Sequence, residues 1–275
     1  MSKQNSNCVK IGTVYGGWYL PDDFTLLAND VCYLAGAGED ISFDLGLATK
    51  FPCQIHIFDP TPRAIAHFEQ LREATKEGKK YPINNSEFES YEVNLQAMER
   101  VHFHPLGWAA INEELKFYVP QNDTHVSHSV LNIQKTDKYF TAQCKNVRTI
   151  AAELGHKDIA LLKMDIEGAE YQVISDLVDN GPLPRVLLVE FDEYHSPMDA
   201  GAGRRILESI EKLIQHGLYP VFFDAGNVTF LENGVGEGNG TIWLRYKAGL
   251  PPFPPSFLTR LQRGVMQRMI ALLSR

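Results

Sequence analysis

The sequence predicts an α/β fold built on a doubly wound, mostly parallel sheet of seven strands with an antiparallel edge. Three observations carry this. Between residues 30 and 250, short apolar runs alternate with segments of helical spacing. Two of the runs, IALLKMD (159–165) and RVLLVEFD (185–192), are nearly continuous in apolar residues, as strands covered on both faces are. The closing runs, YPVFFDAGNVTFL (219–231) and NGTIWLRYK (239–247), have no helical segment between them and are expected to pair antiparallel.

Each element has its own justification. VCYLAG (31–36) is a short strand ending in glycine, and EDISFDLGLATKF (39–51) is helical through Ile41, Leu45 and Ala48. QIHIFD (54–59) is the next strand. The helix in PTPRAIAHFEQLREATKEG (60–78) has prolines near its start, Ile65, Phe68 and Leu71 on one face, and Gly78 at its end. After a polar stretch to about residue 98, RVHFHPLGWA (100–109) is a third strand with its exit, and ELKFYVP (114–120) is expected to form a hairpin with it. An insertion follows, carrying a strand near 140–148, and then the short helix TIAAELG (149–155). Residues 159–165 and 185–192 are buried strands. AEYQVISDLVDNG (169–181) has an apolar stripe at 173, 174, 177 and 178, and GRRILESIEKLIQHG (203–217) is strongly amphipathic through Ile206, Ile210, Leu213 and Ile214.

A chain of 275 residues accommodates one large core with appendages. We assign residues 1–248 to one domain, with 1–29 as an N-terminal lid segment. Residues 249–275 form a Pro-rich linker (GLPPFPP) and a basic amphipathic helix, expected to dock on the body, to support a homodimer or to touch an anionic membrane surface. No run reaches the roughly 18 apolar residues of a membrane span. The opening MSKQNSNCVKIG lacks a signal-peptide segment, so a cytoplasmic location is expected. The scattered Cys8, Cys32, Cys53 and Cys144 make no CxxC pair and read as free thiols. The net charge of −8 includes +6 from residues 241–275, leaving −14 for residues 1–240; this argues against a nucleic-acid partner.

In a doubly wound sheet, ligands bind beyond the C-terminal strand ends near the reversal of strand order. That places Gly36–Asp40, Asp59, Leu106–Trp108, Asp165–Glu167 and Asp192–His195 on one rim. Gly36 and Gly38 allow a tight turn and close approach of a ligand to the backbone. Asp59, followed by Pro60, ends the next strand, where an acid accepts both hydroxyls of a ribose or caps the following helix. Glu39 and Asp40 in the glycine loop would repel a pyrophosphate. They suit a cationic ligand such as S-adenosylmethionine better than NAD.

YLAGAGEDISFDLGLA (33–48), IHIFDPTP (55–62), FHPLGWA (103–109), LLKMDIEGAEYQVI (161–174) and VLLVEFDEYH (186–195) together resemble the FkbM family of class I methyltransferases, over roughly residues 12–247. The K-x-D-x-E-G-x-E string at 163–170 is the most specific element. The resemblance implies a Rossmann-like methyltransferase fold, S-adenosylmethionine as cofactor, and O-methylation of a hydroxyl on a sugar, glycan or secondary metabolite. It also implies an adenine pocket near Leu106, Gly107 and Trp108. Leu34 stands where many class I enzymes have an acid, so contact with the methionine part passes to Glu39 or Asp40.

Three readings compete for Asp165, Glu167 and Glu170. They favour the helix N-terminus, with Asp165 as cap; or Asp165 or Glu167 is a general base; or Asp165 joins Asp192 and Glu193 as a hard-cation site. The last layout is similar to macrocin-type sugar O-methyltransferases, which implies Mg2+ held by Asp165, Asp192 and Glu193 with Glu167 as base. His195 is an alternative base. Lys163 is expected to pair with an acid if it faces inward. Tyr15, Trp18 and Tyr19 read as a lid or as a staple of the N-terminus. His125 and His128, three residues apart, lack a third ligand nearby. The competing functional readings are a non-catalytic nucleotide-binding module and an NAD-dependent sugar enzyme.

Overall fold

The computed structural model describes residues 8–83, 89–118 and 137–232. A hairpin of β1 (Cys8–Ile11) and β2 (Trp18–Pro21) leads into β3 (Val31–Ala35), α1 (Ser42–Lys50), β4 (Gln54–Phe58) and α2 (Pro62–Lys76). The short α3 (Leu95–Met98) precedes β5 (Val101–His104), β6 (Gly107–Trp108), β7 (Glu113–Tyr118) and β8 (Tyr139–Lys145). Then come α4 (Val147–Leu154), β9 (Leu161–Met164), α5 (Glu170–Asn180), β10 (Val186–Glu190), a 3-10 turn (Asp192–Tyr194), α6 (Ala202–Gln215), β11 (Leu218–Asp224) and β12 (Asn227–Glu232).

Seven strands form the central sheet in the order β11-β12-β10-β9-β3-β4-β5. Strands β10, β9, β3, β4 and β5 are parallel, and β12 runs antiparallel to both its neighbours. The chain winds outward from β3 to β5 and returns on the other side of β3 with β9. Strand order therefore reverses between β3 and β9, and the doubly wound sheet with an antiparallel edge is the fold the sequence predicts.

Two pairings differ from expectation. ELKFYVP pairs with β8 and not with the third strand: β6, β8 and β7 make a separate sheet in which Glu113–Tyr118 run antiparallel to Tyr139–Cys144. The connection after His104 turns the chain out of the main sheet, so local sequence order did not set the partner. The antiparallel edge is a hairpin within 218–232, turning at Ala225 and Gly226, where both φ angles are positive. Residues 239–247, expected to supply the second strand, lie outside the described residues, as do the 249–275 segment, His125 and His128.

Strand alternation divides the core cleanly. Cys32, Leu34, Ile55, Ile57, Leu161, Val186 and Leu188 pack against α1, α2, α3 and the β1–β2 hairpin. Tyr33, Ala35, Phe58, Leu162, Met164, Leu187 and Val189 pack against α4, α5 and α6. Capping residues set the helix starts: Thr61 accepts from the Ala64 amide, Asn94 from Ala97 and Asn146 from Thr149. Thr61 is thus the cap of α2, and Asp59 is not.

Lys163 is the exception on the α1 face. Its register partners are Leu34 and Leu188, yet its side chain is only 5% exposed. The ammonium donates to the Gly36 carbonyl at 2.6 Å, lies 3.4 Å from Asp165 Oδ2, and stands 5.5 Å from the centre of the Trp18 ring. Burial pushes its pKa down, but Asp165, Asp44 and Glu190 push it further up, so the group stays charged. Asp44, fully enclosed on α1, is itself raised by burial to about 6, with Lys163 opposing the shift. Lys163→Met removes the counter-charge and leaves these carboxylates facing one another. It is expected to cost about 3–5 kcal/mol in denaturant unfolding. A loss below about 1 kcal/mol, the worth of one ordinary hydrogen bond, would show that the carboxylates do not depend on the ammonium.

Candidate active site

The reversal of strand order brings Gly36, at the end of β3, against Asp165, at the end of β9. The Asp165 amide donates to the Ala35 carbonyl at 3.3 Å. Gly36 has φ +81°, and a Cβ there would sit 1.8 Å from the Asp165 carbonyl oxygen, so no other residue fits. Gly38 also has positive φ (+52°), but the space above it is open. The glycine loop is thus closed on the sheet side and free on the outer side.

Asp59 holds this loop from beneath. One carboxylate oxygen accepts from the amides of Ala37 (2.9 Å) and Gly38 (3.0 Å), and the other from the Thr61 amide (2.8 Å) and hydroxyl (2.6 Å). A carboxylate has about four acceptor positions, and all four are in use. In this conformation the side chain is a buttress of the loop with no acceptor left for ribose hydroxyls. Pro60 is half-buried beside Gly107.

The two loop acids do not face the crevice as bare charges. Glu39 is paired with Arg63 of α2. Asp40 accepts from the Thr13 hydroxyl at 2.6 Å and the Ser42 amide at 3.0 Å, tying the β1–β2 hairpin to the start of α1. The charge argument for a cationic ligand therefore loses Glu39 to Arg63, while Asp40 is held by neutral donors. Gly107 and Trp108 are buried, and the Trp108 ring packs 5.5 Å from Phe58 and 6.5 Å from Tyr33, within the core. Its Nε1 has no hydrogen-bond partner. Trp108 is a core residue in this arrangement and no wall of an open adenine pocket.

The negative charge is concentrated at the ends of β9 and β10. Asp165, Glu167 and Asp192 present carboxylate oxygens that all lie within 4.8 Å of one another. The turn after β9 aims them there. Glu167 adopts φ +52° and Gly168 φ +102°; for a non-glycine residue this costs on the order of 1 kcal/mol. The buried Glu170 accepts from the Gly168 amide at 2.8 Å and bonds the Asp192 carboxyl. Asp192 Oδ2 is buried without a partner. Burial, then Glu170, Glu167 and Asp165, hold the Asp192 carboxyl well above its ordinary range. Glu190, which sequence reading passed over, is raised to about 8 by burial and by Asp165 and Glu167, against Lys163. Its signal was the alternation of β10, which puts residue 190 on the face of Leu188 and so beside Lys163. None of these acids caps α5: its N-cap is Ala169, with no side-chain bond.

Glu193 is not part of this group. It turns to α6, where Arg205 grips both oxygens of its buried carboxylate and the Met198 amide donates to it at 3.2 Å. The pairing with Arg205 overrides burial and lowers its pKa. The expected ligand set of Asp165, Asp192 and Glu193 is corrected by this ion pair: Glu167 takes the third place. His195 is half-exposed, with Nε2 3.8 Å from Glu190. At the tip of the β1–β2 hairpin Tyr15 is 74% exposed overall; its hydroxyl is raised by partial desolvation and by the charges of Asp165, Glu190, Glu167 and Asp40. Trp18 is buried against Lys163, and Tyr19 stacks on Phe222 at 4.1 Å.

The methyltransferase FkbM domain model matches residues 49–216, more than half of the chain. No curated protein sequence matches it significantly. Among solved structures, a methyltransferase FkbM from Methylobacillus flagellatus KT aligns at 12% identity and TM-score 0.43, over 76% of this chain and 45% of its own. This chain thus spans less than half of that protein. The Methanococcus jannaschii fibrillarin pre-rRNA processing protein aligns at 12% identity and TM-score 0.37, over 85% and 86% of the two chains. At such scores neither alignment carries an argument, and the family assignment rests on the domain match. The chain belongs to the FkbM methyltransferase family, whose reaction is methyl transfer from S-adenosylmethionine.

Proposed function

We propose that the protein is an O-methyltransferase that moves the methyl group of S-adenosylmethionine to a hydroxyl of a sugar, glycan or other small molecule. The observation that carries this reading is the convergence of Asp165, Glu167 and Asp192 beside Gly36, at the reversal of strand order. Among the described residues Lys163 is the buried cation there, answered by Asp165, Asp44 and Glu190, while Glu167, Glu170 and Asp192 add further carboxyls at the same strand ends, so the crevice favours a positively charged guest. NAD also carries a cationic ring, but its doubly charged pyrophosphate would be repelled by the same carboxylates.

The methyl donor supplies a carbon bonded to a positively charged sulfur, a bond that breaks as the acceptor oxygen bonds the carbon from the opposite side. The chain's part is to hold the acceptor in line and to take its proton. Glu167 is our choice of base, because its turn aims the carboxylate at the cluster. Asp165 positions it, and His195 with Glu190 is the alternative relay. The open outer side of the loop at Gly36 and Gly38 is assigned to the donor, with Asp59 fixing the loop through its amides and Pro60, Gly107 and Trp108 packing behind it. The β1–β2 hairpin, with Tyr15 at its tip, is the lid. A second reading follows from the orphaned Asp192 oxygen: Asp165, Glu167 and Asp192 would hold Mg2+ through hard oxygen donors. Glu167 cannot serve as ligand and free base together, so the two readings separate experimentally.

Calorimetry is expected to show binding of S-adenosylmethionine and S-adenosylhomocysteine but not NAD; the opposite result would remove the proposal. A cation near Glu190 favours its ionised form, so binding expels a proton whenever that carboxyl is protonated. Affinity for S-adenosylmethionine should therefore rise as pH increases through about 8, and less so for the uncharged thioether product. A pH-independent affinity would place the donor away from Glu190. Asp59→Asn should weaken donor binding by about tenfold through loss of loop order; unchanged affinity would deny it that part. Glu167→Gln should abolish label transfer from S-adenosylmethionine to a hydroxyl acceptor while leaving donor affinity within about threefold. Near-normal turnover would return Glu167 to a purely structural role. Activity unaffected by EDTA in metal-free protein would eliminate the Mg2+ reading.

A further inference from the structure

Away from the carboxylate crevice, on the face of the sheet covered by α4, four imidazoles meet. His102 and His104 are two residues apart on β5 and share a face; their register partners on β4 are His56 and Phe58. His156, in the turn after α4, completes the group. The His56 ring centre lies 4.8 Å from that of His102, 5.2 Å from His104 and 4.7 Å from His156. His56 is buried and His102 exposed, so the group runs from the core to the surface. The bonds within it require neutral rings. His56 Nδ1 and His104 Nε2 share one hydrogen bond at 3.0 Å, which needs a bare nitrogen on one side and is lost when both rings carry two protons. His156 Nδ1 meets the Tyr33 hydroxyl at 2.7 Å, and burial holds that phenol above its ordinary range, so it keeps its proton.

Nothing negative stands by to receive a charge here. His56 is faced by Tyr33 from β3, by His102 and His104 from β5 and by His156 from the α4 turn. Among the described residues no carboxylate acts on His56, His104 or His156. Burial, then His102, His156 and His104, push His56 down to about 3. Burial first, and neighbouring imidazoles second, also lower His104 and His156. The sign follows from the direction. A histidine lowered in the folded state stabilises fully above its ordinary value of about 6.5, and that stability is lost as pH falls below it.

The group stands directly behind the glycine loop. β5 is the edge strand of the sheet. The Asp59 amide donates to the His104 carbonyl at 3.2 Å, the Gly36 amide donates to the Phe58 carbonyl at 3.0 Å, and Phe58 stacks on His104 at 4.7 Å. Asp59 in turn carries the Ala37 and Gly38 amides. We propose that His56, His104 and His156, with His102 at the surface, form an acid-sensitive latch: neutral, they hold β5 on β4 and the glycine loop in place; protonated, they release the edge strand and loosen the loop. Its consequence for methyl transfer rests on reading that loop as the donor's, whereas the latch itself does not. The carboxyls of the opposite rim respond in the other sense. Asp44 and Glu190 are raised, so acid relieves them, and loosening on acidification is not theirs.

The test uses the full chain without any methyl donor, followed by nuclear magnetic resonance between pH 7 and 5. The His56, His104 and His156 rings should titrate below about 6.5. Opening of the edge takes up a proton at each lowered ring, up to about tenfold per pH unit per ring. Hydrogen-exchange protection of the Asp59, Ala37 and Gly38 amides should therefore fall by about thirtyfold or more from pH 7 to 5, while amides of β10 and β12 change by less than about threefold. His56→Phe keeps an aromatic ring in place without a titrating group, and His156→Gln keeps an acceptor for the Tyr33 hydroxyl. Each should shrink the fall by at least about threefold. If His56→Phe fails to fold, His156→Gln decides alone. A His56 ring that titrates at about 6.5, protection that stays constant down to pH 5, or a fall as large in the variants as in the parent would each overturn the latch. None of these readouts uses the donor, so failure of the donor reading shows separately, in the calorimetry.

Discussion

The Lys163 ammonium is the contact on which the rest of the site depends. A charge buried on a strand flanked by leucines is tolerated only when paired, and here it is paired with groups from three directions: Asp165 beyond its own strand end, Asp44 from α1 and Glu190 from β10. The same ammonium donates to the Gly36 carbonyl, so the glycine loop and the β9 turn are fastened by one group. Trp18 roofs it from the β1–β2 hairpin, which couples the proposed lid to the crevice floor. Sheet, helix, loop and hairpin therefore share one electrostatic anchor.

That anchor is outnumbered. Asp165, Glu167, Glu170, Glu190 and Asp192 crowd the ends of two adjacent strands, and the raised pKa values of Glu190 and Asp192 express first their burial and then their mutual repulsion. Such a group stores unfavourable energy that a bound cation relieves, so selectivity for a positively charged ligand follows without any contact to its distinctive atoms. The sequence argument reached the same ligand class from Glu39 and Asp40, but Glu39 is paired with Arg63 and Asp40 is turned to Thr13 and Ser42. The conclusion survives on different residues from the ones that suggested it.

Much of the architecture was legible because it is local. Apolar runs ending in Gly36, Asp59 and Asp165 fix where parallel strands stop, and parallel pairing then forces those ends to one rim. Side-chain partners were less legible because they are long-range. Nothing near residue 193 announces that Arg205 will turn Glu193 away, and nothing near Asp59 shows that two amides of another loop will occupy one of its oxygens. The same holds for β7, whose partner lies across an insertion in place of the strand just before it. Glu190 was readable in principle: two residues beyond Leu188 on an alternating strand, it had to share a face with Lys163.

The backbone at Glu167 bears on which of its roles the fold was built to serve. A left-handed turn residue is cheapest as glycine or asparagine, and a glycine follows immediately at 168. If residue 167 served only to favour the helix N-terminus, an unstrained residue in the first helical turn would do it, and Glu170 already occupies that place. The strained conformation instead carries the carboxylate away from the helix axis toward Asp165 and Asp192, adding negative charge where burial already penalises it. Backbone strain and charge repulsion both oppose this placement. That opposition is in keeping with the part proposed for the Glu167 carboxylate, as a base for an acceptor hydroxyl or as a ligand to a cation beside Asp192.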